Sequence, residues 1–260
     1  MFPGFQQFPE GQIIAFALIF LRIVAFVVAW PIFGTQVVPA QLKVLLAIVL
    51  SIVIYPTVSF QNVDLIRISD QIVFLAFREV MIGLFLGYLL RFFFFALSVA
   101  GELIGISAGL ASAQLFNPAM GAQSNVYEQV HVMLATLFIL AMNGHHLFIQ
   151  GLSQSYELVP IASIAIKHEG FTTVAYLVKD AFLMGFKMAA PVTVAIFLAN
   201  LAMGIMGRAV PQLNVMMTSM QVTILVGTLV FFLSLPLYVE ELTGVLTVVA
   251  DKFFMTMRVL

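Results

Sequence analysis

Ionisable side chains inside long apolar runs are the first residues here that could do chemistry. A charge at the centre of a membrane helix costs roughly 2.5–3.5 kcal/mol on insertion scales, so it marks either function or specific pairing. Arg78-Glu79 stand side by side in the run Ile72–Phe95, with Arg91 further along, and Lys179, Asp180 and Lys187 interrupt Val174–Met206. Such groups can relay protons or line an ion pathway. They can equally pair with charges on neighbouring helices and fix the register of assembly. Glu79 is followed by Gly83 and Gly87, so a carboxylate and two glycines share one helix face, as on a protein-facing surface. Packing is therefore the stronger reading for Glu79, and Glu102 beside Gly101 is read in the same way.

Nucleophilic and metal chemistry find less support. His131 and His145 are fourteen positions apart, which on one helix would place them about 20 Å from each other along the axis. His145 and His146 are adjacent and diverge by about 100°, so the simpler reading is a polar cap at the end of the fourth helix. No His-Glu-x-x-His, Gly-x-Ser-x-Gly or Walker pattern is present. The absence of Cys removes disulfides, thiolate ligands and a Cys nucleophile. Met203, Met206, Met216, Met217 and Met220 cluster around Arg208–Gln212, a pattern of adaptable packing more than of a copper site. No cofactor is expected.

The elements that carry these residues follow from composition. The 260-residue chain is 62% hydrophobic and 9% charged, with a mean hydropathy of +1.11, against roughly 25% charged residues in soluble domains. This is the composition of an integral membrane protein. A formal net charge of −1 without a basic tract gives nucleic acid no electrostatic footprint. Spans of about 20 apolar residues are expected at Gln12–Trp30, Val37–Tyr55, Ile72–Phe95, Val130–Phe148, Val174–Met206 and Leu213–Leu237, with Pro191 kinking the fifth. No Lys or Arg precedes the first run, which therefore reads as a retained helix and not a cleavable signal. An inside N-terminus would put Arg67, Lys167, Lys252 and Arg258 on the cytoplasmic side, against Arg208 opposite. Thr243–Leu260 has apolar residues at helical spacing and reads as an amphipathic terminal helix.

One stretch fits none of these classes. No charge occurs between Glu102 and Glu128, yet the segment is rich in glycine and amides and is broken by Asn117-Pro118. Gly101, Gly105 and Gly109 recur every four residues and would form a flat contact stripe on a helix. The run that follows is too polar for lipid and too uncharged for a typical solvated loop. Polar irregular backbone at membrane depth is tolerated only when buried in protein or lining a water-filled cavity.

Taken in order, these features resemble the FliR family of flagellar export-gate proteins and their injectisome counterparts in type III secretion. The resemblance is carried by Arg22 with Pro31, Lys43 with Pro56, Glu79-x-x-x-Gly83-x-x-x-Gly87, and Ala100-Gly101-Glu102 leading through Gly109 to Asn117-Pro118. It continues through Asn143-Gly-His-His146, Ser155, Pro160, Ala190-Pro191 and Asn200-Leu-Ala-Met-Gly204-Ile-Met-Gly-Arg208-Ala-Val-Pro211-Gln212. The chain departs from the family pattern at Asn117, where Asp is expected, and at Leu115, near which a glycine is expected.

The resemblance implies an all-α fold of membrane-associated helical hairpins, with about six long hydrophobic helices, several kinked, assembling into a helical pore complex. It implies a FliP-like part over residues 1–170, with a pore-facing loop near 105–123. A FliQ-like hairpin with a C-terminal amphipathic helix would occupy 171–260. The implied function is a non-enzymatic subunit of the export gate in the bacterial inner membrane and flagellar basal body, raised toward the periplasm. FliP, FliQ and FlhB are the implied partners, and exported flagellar subunits the passing substrate. The pore plug would comprise Gly105, Gly109, Ser112, Gln114, Leu115, Phe116, Asn117, Pro118, Met120 and Gln123. Glu79, Gly83, Gly87, Gly101, Glu102, Pro191, Asn200, Arg208, Pro211 and Gln212 would serve subunit packing. The competing reading is a stand-alone secondary transporter or channel, with Arg78, Glu79, Arg91 and Lys187 along its pathway and the Asn-Pro break as a re-entrant loop. Paired half-sequences with matching interruptions, which would favour it, are not evident.

Overall fold

Apolar runs in a medium without water must satisfy their backbone hydrogen bonds within the segment, and helices do so. The computed structural model describes residues 10–34, 38–58, 71–110, 125–161, 169–210, 212 and 214–259, and these are helical with no strand among them. The helices are α1 (Glu10–Ala29), α2 (Ala40–Ile54), α3 (Ile72–Ser107), α4 (Val126–Ala141), α5 (Gly144–Leu158), α6 (Glu169–Ala209), α7 (Val215–Leu233) and α8 (Leu235–Val259). A short 3₁₀ turn, Tyr55–Thr57, follows α2. Gly11–Ala29, Ala40–Thr57, Ile72–Ser107 and Val174–Ala209 are each long and apolar enough to cross a membrane; the pairs α4–α5 and α7–α8 raise the number to six if each counts as one span.

Six apolar runs are therefore present, but two differ from the expected single helices. The run Val130–Phe148 is interrupted at Met142-Asn143, where Asn143 adopts φ 55, a left-handed conformation that Asn tolerates better than most residues. His145 and His146 consequently open α5 and do not cap the end of α4. The run Leu213–Leu237 is interrupted at Ser234, where the α7 and α8 axes bend by 65°. Pro236 explains the position of that break. Its ring would clash with the carbonyl four residues back and it has no N–H to donate, yet it is well placed in the first turn of a new helix. The terminal helix thus starts at Leu235, and Val245, Leu246, Val249 and Phe253 form its buried face.

α3 runs twelve residues beyond the expected Phe95, to Ser107. The glycines of its second half do not stop it, because they are packed against neighbours; it ends only where Gly109 adopts φ +83, a conformation open to glycine at little cost. Pro191 lies inside the continuous α6.

Contacts group the chain into two units, Met1–Arg91 with His145–Ala175 and Val249–Leu260, and Phe92–Gly144 with Tyr176–Val248. In the first, Ile19, Ile23 and Phe26 of α1, Trp30 just past its end, Leu86, Leu89 and Leu90 of α3, and Phe148 and Leu152 of α5 are all buried. Trp30 meets Phe148 edge to face at 6.0 Å between ring centroids. A methyl added at Gly83 would overlap the Arg22 carbonyl, and one at Gly87 would overlap Ala29, so these glycines set the approach of α3 to α1. α2 buries only Ala47, Ser51 and Ile54 and exposes Leu45, Ile48, Val49, Ile52 and Val53, a surface suited to lipid or protein and not to water.

In the second unit, α3 contributes Phe93, Leu97, Ala100 and Ile104, α4 Ala135 and Ile139, α6 Val192 and Ile196, and α7 Phe231 to the buried interior. Gly185 of α6 lies against Ala96 and Val99 of α3, and Gly101 of α3 lies against the backbone of Tyr127 and Glu128 in α4.

Gly83→Ala and Gly101→Ala should each lower thermal stability of the detergent-solubilised protein by about 1–3 kcal/mol through overpacking. Gly244→Ala, whose methyl would meet nothing within 4 Å, should instead stabilise α8 by up to about 1 kcal/mol. Equal melting of Gly83→Ala and the parent protein would contradict the close-approach argument.

Candidate functional site

The buried charges of the first unit converge on Glu79. Arg22 and Glu79 are both fully buried, and Arg22 Nε donates to Glu79 Oε2 at 2.5 Å. A guanidinium carries five N–H donors in a planar fork, and this one uses the rest of its fork on α5. Nη1 donates to the Ser155 carbonyl at 3.1 Å and to Ser155 Oγ at 3.2 Å, and Nη2 donates to the Val159 carbonyl at 3.0 Å. The guanidinium also stacks over the Tyr156 ring, 4.2 Å from its centroid, and the Tyr156 hydroxyl donates to the Ile19 carbonyl at 3.1 Å. Arg78 approaches Glu79 Oε1 to 3.4 Å and donates to the Pro160 carbonyl at 2.7 Å.

Two guanidinium groups thus face the Glu79 carboxylate. The carbonyls of Ser155, Val159 and Pro160, at or just past the C-terminal end of α5, accept from the same two side chains. Carbonyls at a helix C-terminus carry the negative end of its dipole; that of Ser155 also accepts from the Val159 N–H at 2.9 Å. The cluster therefore joins α1, α3 and α5 through an ion pair, a backbone terminus and an aromatic face. Breaking such a buried pair by removing one partner typically costs about 3–5 kcal/mol, because the other charge is left without compensation.

The structure brings Arg78 and Glu79 together with Arg22, and places Arg91 elsewhere. Arg91 Nε donates to the Ala29 carbonyl at 2.9 Å, at the end of α1, and its guanidinium lies 4.7 Å from the Tyr88 ring centroid. Lys187 is exposed on α6, where it lines a cavity of about 250 Å³ with Met188, Pro191, Leu237, Tyr238, Glu240 and Glu241. Asn200, Arg208 and Gln212 are exposed, with Arg208 in the last turn of α6. Arg22, Ser155 and Tyr156 were not singled out for chemistry from sequence. The available signal was that Arg22 is the lone charge in the hydrophobic run Ile13–Trp30, and such a charge needs a partner.

The second unit holds the other group of expected site residues. Asn125 caps α4 by accepting from the Glu128 N–H at 3.0 Å, and its amide donates to Glu102 Oε2 at 2.6 Å. Gly105 packs directly against the Asn125 side chain. Gly101 and Gly105 are therefore contact glycines, whereas Gly109 is not: a methyl there would meet nothing within 4 Å, and its positive φ marks the helix end. Gly105 itself is still helical, and α3 ends at Ser107. Ser112, Gln114, Leu115, Phe116, Asn117, Pro118, Met120, Gln123 and Pro211 lie outside the described residues.

The histidines occupy separate settings. His131 is fully buried in α4, with Nδ1 2.6 Å from the Tyr127 carbonyl and its ring against Phe231 and Tyr238 at 5.1 and 5.2 Å. The His145 and His146 rings lie 4.3 Å apart between centroids, tilted by 50°, in the first turn of α5. Among the described residues, no three His, Cys, Asp or Glu side chains form a group suited to a metal ion. Of the clustered methionines, Met203 is buried, and Met206, Met217 and Met220 are exposed.

Comparison with known proteins fits this arrangement of helices. Residues 13–248 match the family described as "Bacterial export proteins, family 1". The chain is 34% identical to the flagellar biosynthetic protein FliR of Bacillus subtilis (strain 168), over 82% of this chain and 83% of that protein. It is 30% identical to FliR of Aquifex aeolicus (strain VF5), over 88% of each chain. It is also 30% identical to FliR of Escherichia coli (strain K12), over 84% of this chain and 82% of that one. With the match running through nearly the whole chain, from α1 into α8, this protein belongs to the bacterial export proteins, family 1, alongside these flagellar FliR proteins.

Proposed function

We propose that the chain is a non-enzymatic integral subunit of the flagellar type III export gate, forming the export pore and helping to close it together with FliP-like and FliQ-like partners and FlhB. Family membership over residues 13–248 supports a role in flagellar export, and the helices that can span a membrane support the bacterial inner membrane as its site, within the basal body and raised toward the periplasm. Exported flagellar subunits are the passing substrate. In this reading residues 1–170 are a FliP-like part and 171–260 a FliQ-like hairpin with a terminal amphipathic helix.

The observation that carries the proposal is the use made of the buried charges. A solute pathway needs ionisable groups that exchange partners with water or cargo. Arg22, Arg78 and Glu79 are instead committed to one another and to the end of α5. Charges committed in this way fix helix register, which is what an assembly subunit requires. The outward apolar face of α2 and the exposed Phe186, Phe197, Leu198 and Leu201 of α6 supply surface for partner subunits and lipid.

Closure is assigned to the segment from Gly105 to Gln123. A reversible seal has to block ions and yet leave the path when a chain is exported. A segment of small residues and amides, anchored by Leu115, Phe116 and Met120 and free of ion pairs because it has no charge, meets both demands. Glu102, Pro191, Asn200, Arg208, Pro211 and Gln212 are assigned to subunit packing, whereas Gly83, Gly87 and Gly101 are taken up by contacts within the chain.

The chain expressed alone should be unstable and gain stability on co-expression with its FliP-like and FliQ-like partners; a homomer that reconstitutes and moves solute would overturn the proposal. Glu79→Ala should abolish recovery of the complex, because Arg22 would be left buried without a counter-charge. A normal complex that fails to export would point instead to a proton-relay role. Deleting Gln114–Gly121 should leave assembly intact and make the pore leaky to small solutes in a flux assay. Unchanged leakage in an assembled deletion would exclude the closure role.

A further inference from the structure

Polar contacts on α7 stand apart from the ionic cluster. Thr223, 2% exposed, donates its hydroxyl to the Ala108 carbonyl at 3.1 Å. Ala108 lies just past the end of α3, where carbonyls lose their helical partners. The Thr223 hydroxyl also lies 3.0 Å from the Met220 carbonyl in its own helix. Burial alone therefore does not require the contact with Ala108. Thr228 places its hydroxyl 2.9 Å from the hydroxyl of Tyr127, in the first turn of α4, and the same phenol donates to the Ile224 carbonyl at 3.4 Å. Gly227 lies beside them, and a methyl there would press on the Tyr127 hydroxyl at 3.2 Å and on Ile196.

Positions 223, 224, 227 and 228 recur at helical spacing and form one face of α7. Thr223 and Thr228 are about 7.5 Å apart along its axis. One short stretch of α7 thus grips the chain on both sides of residues 111–124: at Ala108, where the chain leaves α3, and at Tyr127, where it enters α4. Asn125 and Glu102 tie the two stems to each other directly. We infer that the Thr223–Thr228 face of α7 is a positioning element, which sets the separation and register of the two stems. Its consequence for the pore rests on the closure role proposed above.

The experiment uses the assembled export complex in membranes. Thr223→Val and Thr228→Val remove one hydroxyl each at nearly constant volume, and Thr223→Ser and Thr228→Ser keep it. Two readouts are followed: small-solute leakage, and thiol labelling of Ala108→Cys, a buried position in a chain that has no other cysteine. Each Val variant should assemble normally. It should raise labelling and leakage roughly fivefold, the factor that one hydrogen bond of ordinary net strength represents; each Ser variant should restore the parent values. Tyr127→Phe combined with Thr228→Val should not exceed Tyr127→Phe alone, which already removes the hydroxyl that Thr228 meets. Parent-like labelling in the Val variants overturns the inference, as does failed assembly, which would make the hydroxyls structural. Raised labelling without leakage, together with a tight Gln114–Gly121 deletion, upholds the positioning element and refutes the closure role. A leaky deletion with parent-like labelling in the Val variants does the reverse.

Discussion

A guanidinium buried in an apolar helix bundle must be neutralised and must have its N–H groups satisfied, and the first unit is organised around meeting that demand at Arg22. One carboxylate from α3 supplies the charge, and the C-terminal carbonyls of α5 supply the remaining acceptors. Neither partner alone would suffice. A single ion pair leaves donors unmet, and a helix terminus alone provides only partial charge. Arg78 adds a second cation to the same carboxylate and takes the Pro160 carbonyl beyond the helix end. The apolar packing of Trp30, Phe148 and the α3 leucines surrounds this arrangement but does not specify register; the charges do, since a one-residue rotation of α3 would turn Glu79 away from Arg22 by about 100°.

The glycines make that geometry reachable. Gly83 lies one turn beyond Glu79 and receives the Arg22 backbone, and Gly87 receives Ala29 one turn further. The carboxylate and the two glycines thus act as one device, in which close backbone approach shortens the distance a charged side chain must cover. In the second unit the same logic appears without an ion pair: Gly101 and Gly105 bring α3 against Tyr127, Glu128 and Asn125, and amide and hydroxyl hydrogen bonds complete the contact.

Much of this was legible in the sequence. The six apolar runs, the protein-facing stripe of Glu79, Gly83 and Gly87, and the family resemblance all follow from periodicity and motif order. The partner of Glu79 was not legible, because an Arg fifty-seven positions away shares no local signal with it; only the rule that a lone intramembrane charge needs a counter-charge connects them. The breaks at Asn143 and Ser234 were missed for different reasons. Asn143 tolerates positive φ without demanding it, so its presence in an apolar run is ambiguous. Pro236 was a readable signal within a run treated as continuous. Gly109 shows the limit of spacing arguments: it keeps the four-residue period of Gly101 and Gly105, yet its backbone conformation gives it a different task. The α7 hydroxyls that meet Ala108 and Tyr127 are invisible to any local pattern, since Thr in an apolar helix most often bonds to its own preceding turn.

The distances along the chain within the Arg22 cluster also impose an order in time. Glu79 is 57 residues after Arg22, and the Val159 carbonyl is 137 residues after it. At about 5–20 residues per second, the nascent first helix waits roughly 3–11 s for its counter-ion and roughly 7–27 s for its last hydrogen-bond acceptor. Through that interval it carries an unneutralised charge that lipid accommodates poorly. A membrane-inserted α1 would thus lack its counter-charge until α3 is made and its last acceptors until α5 is made.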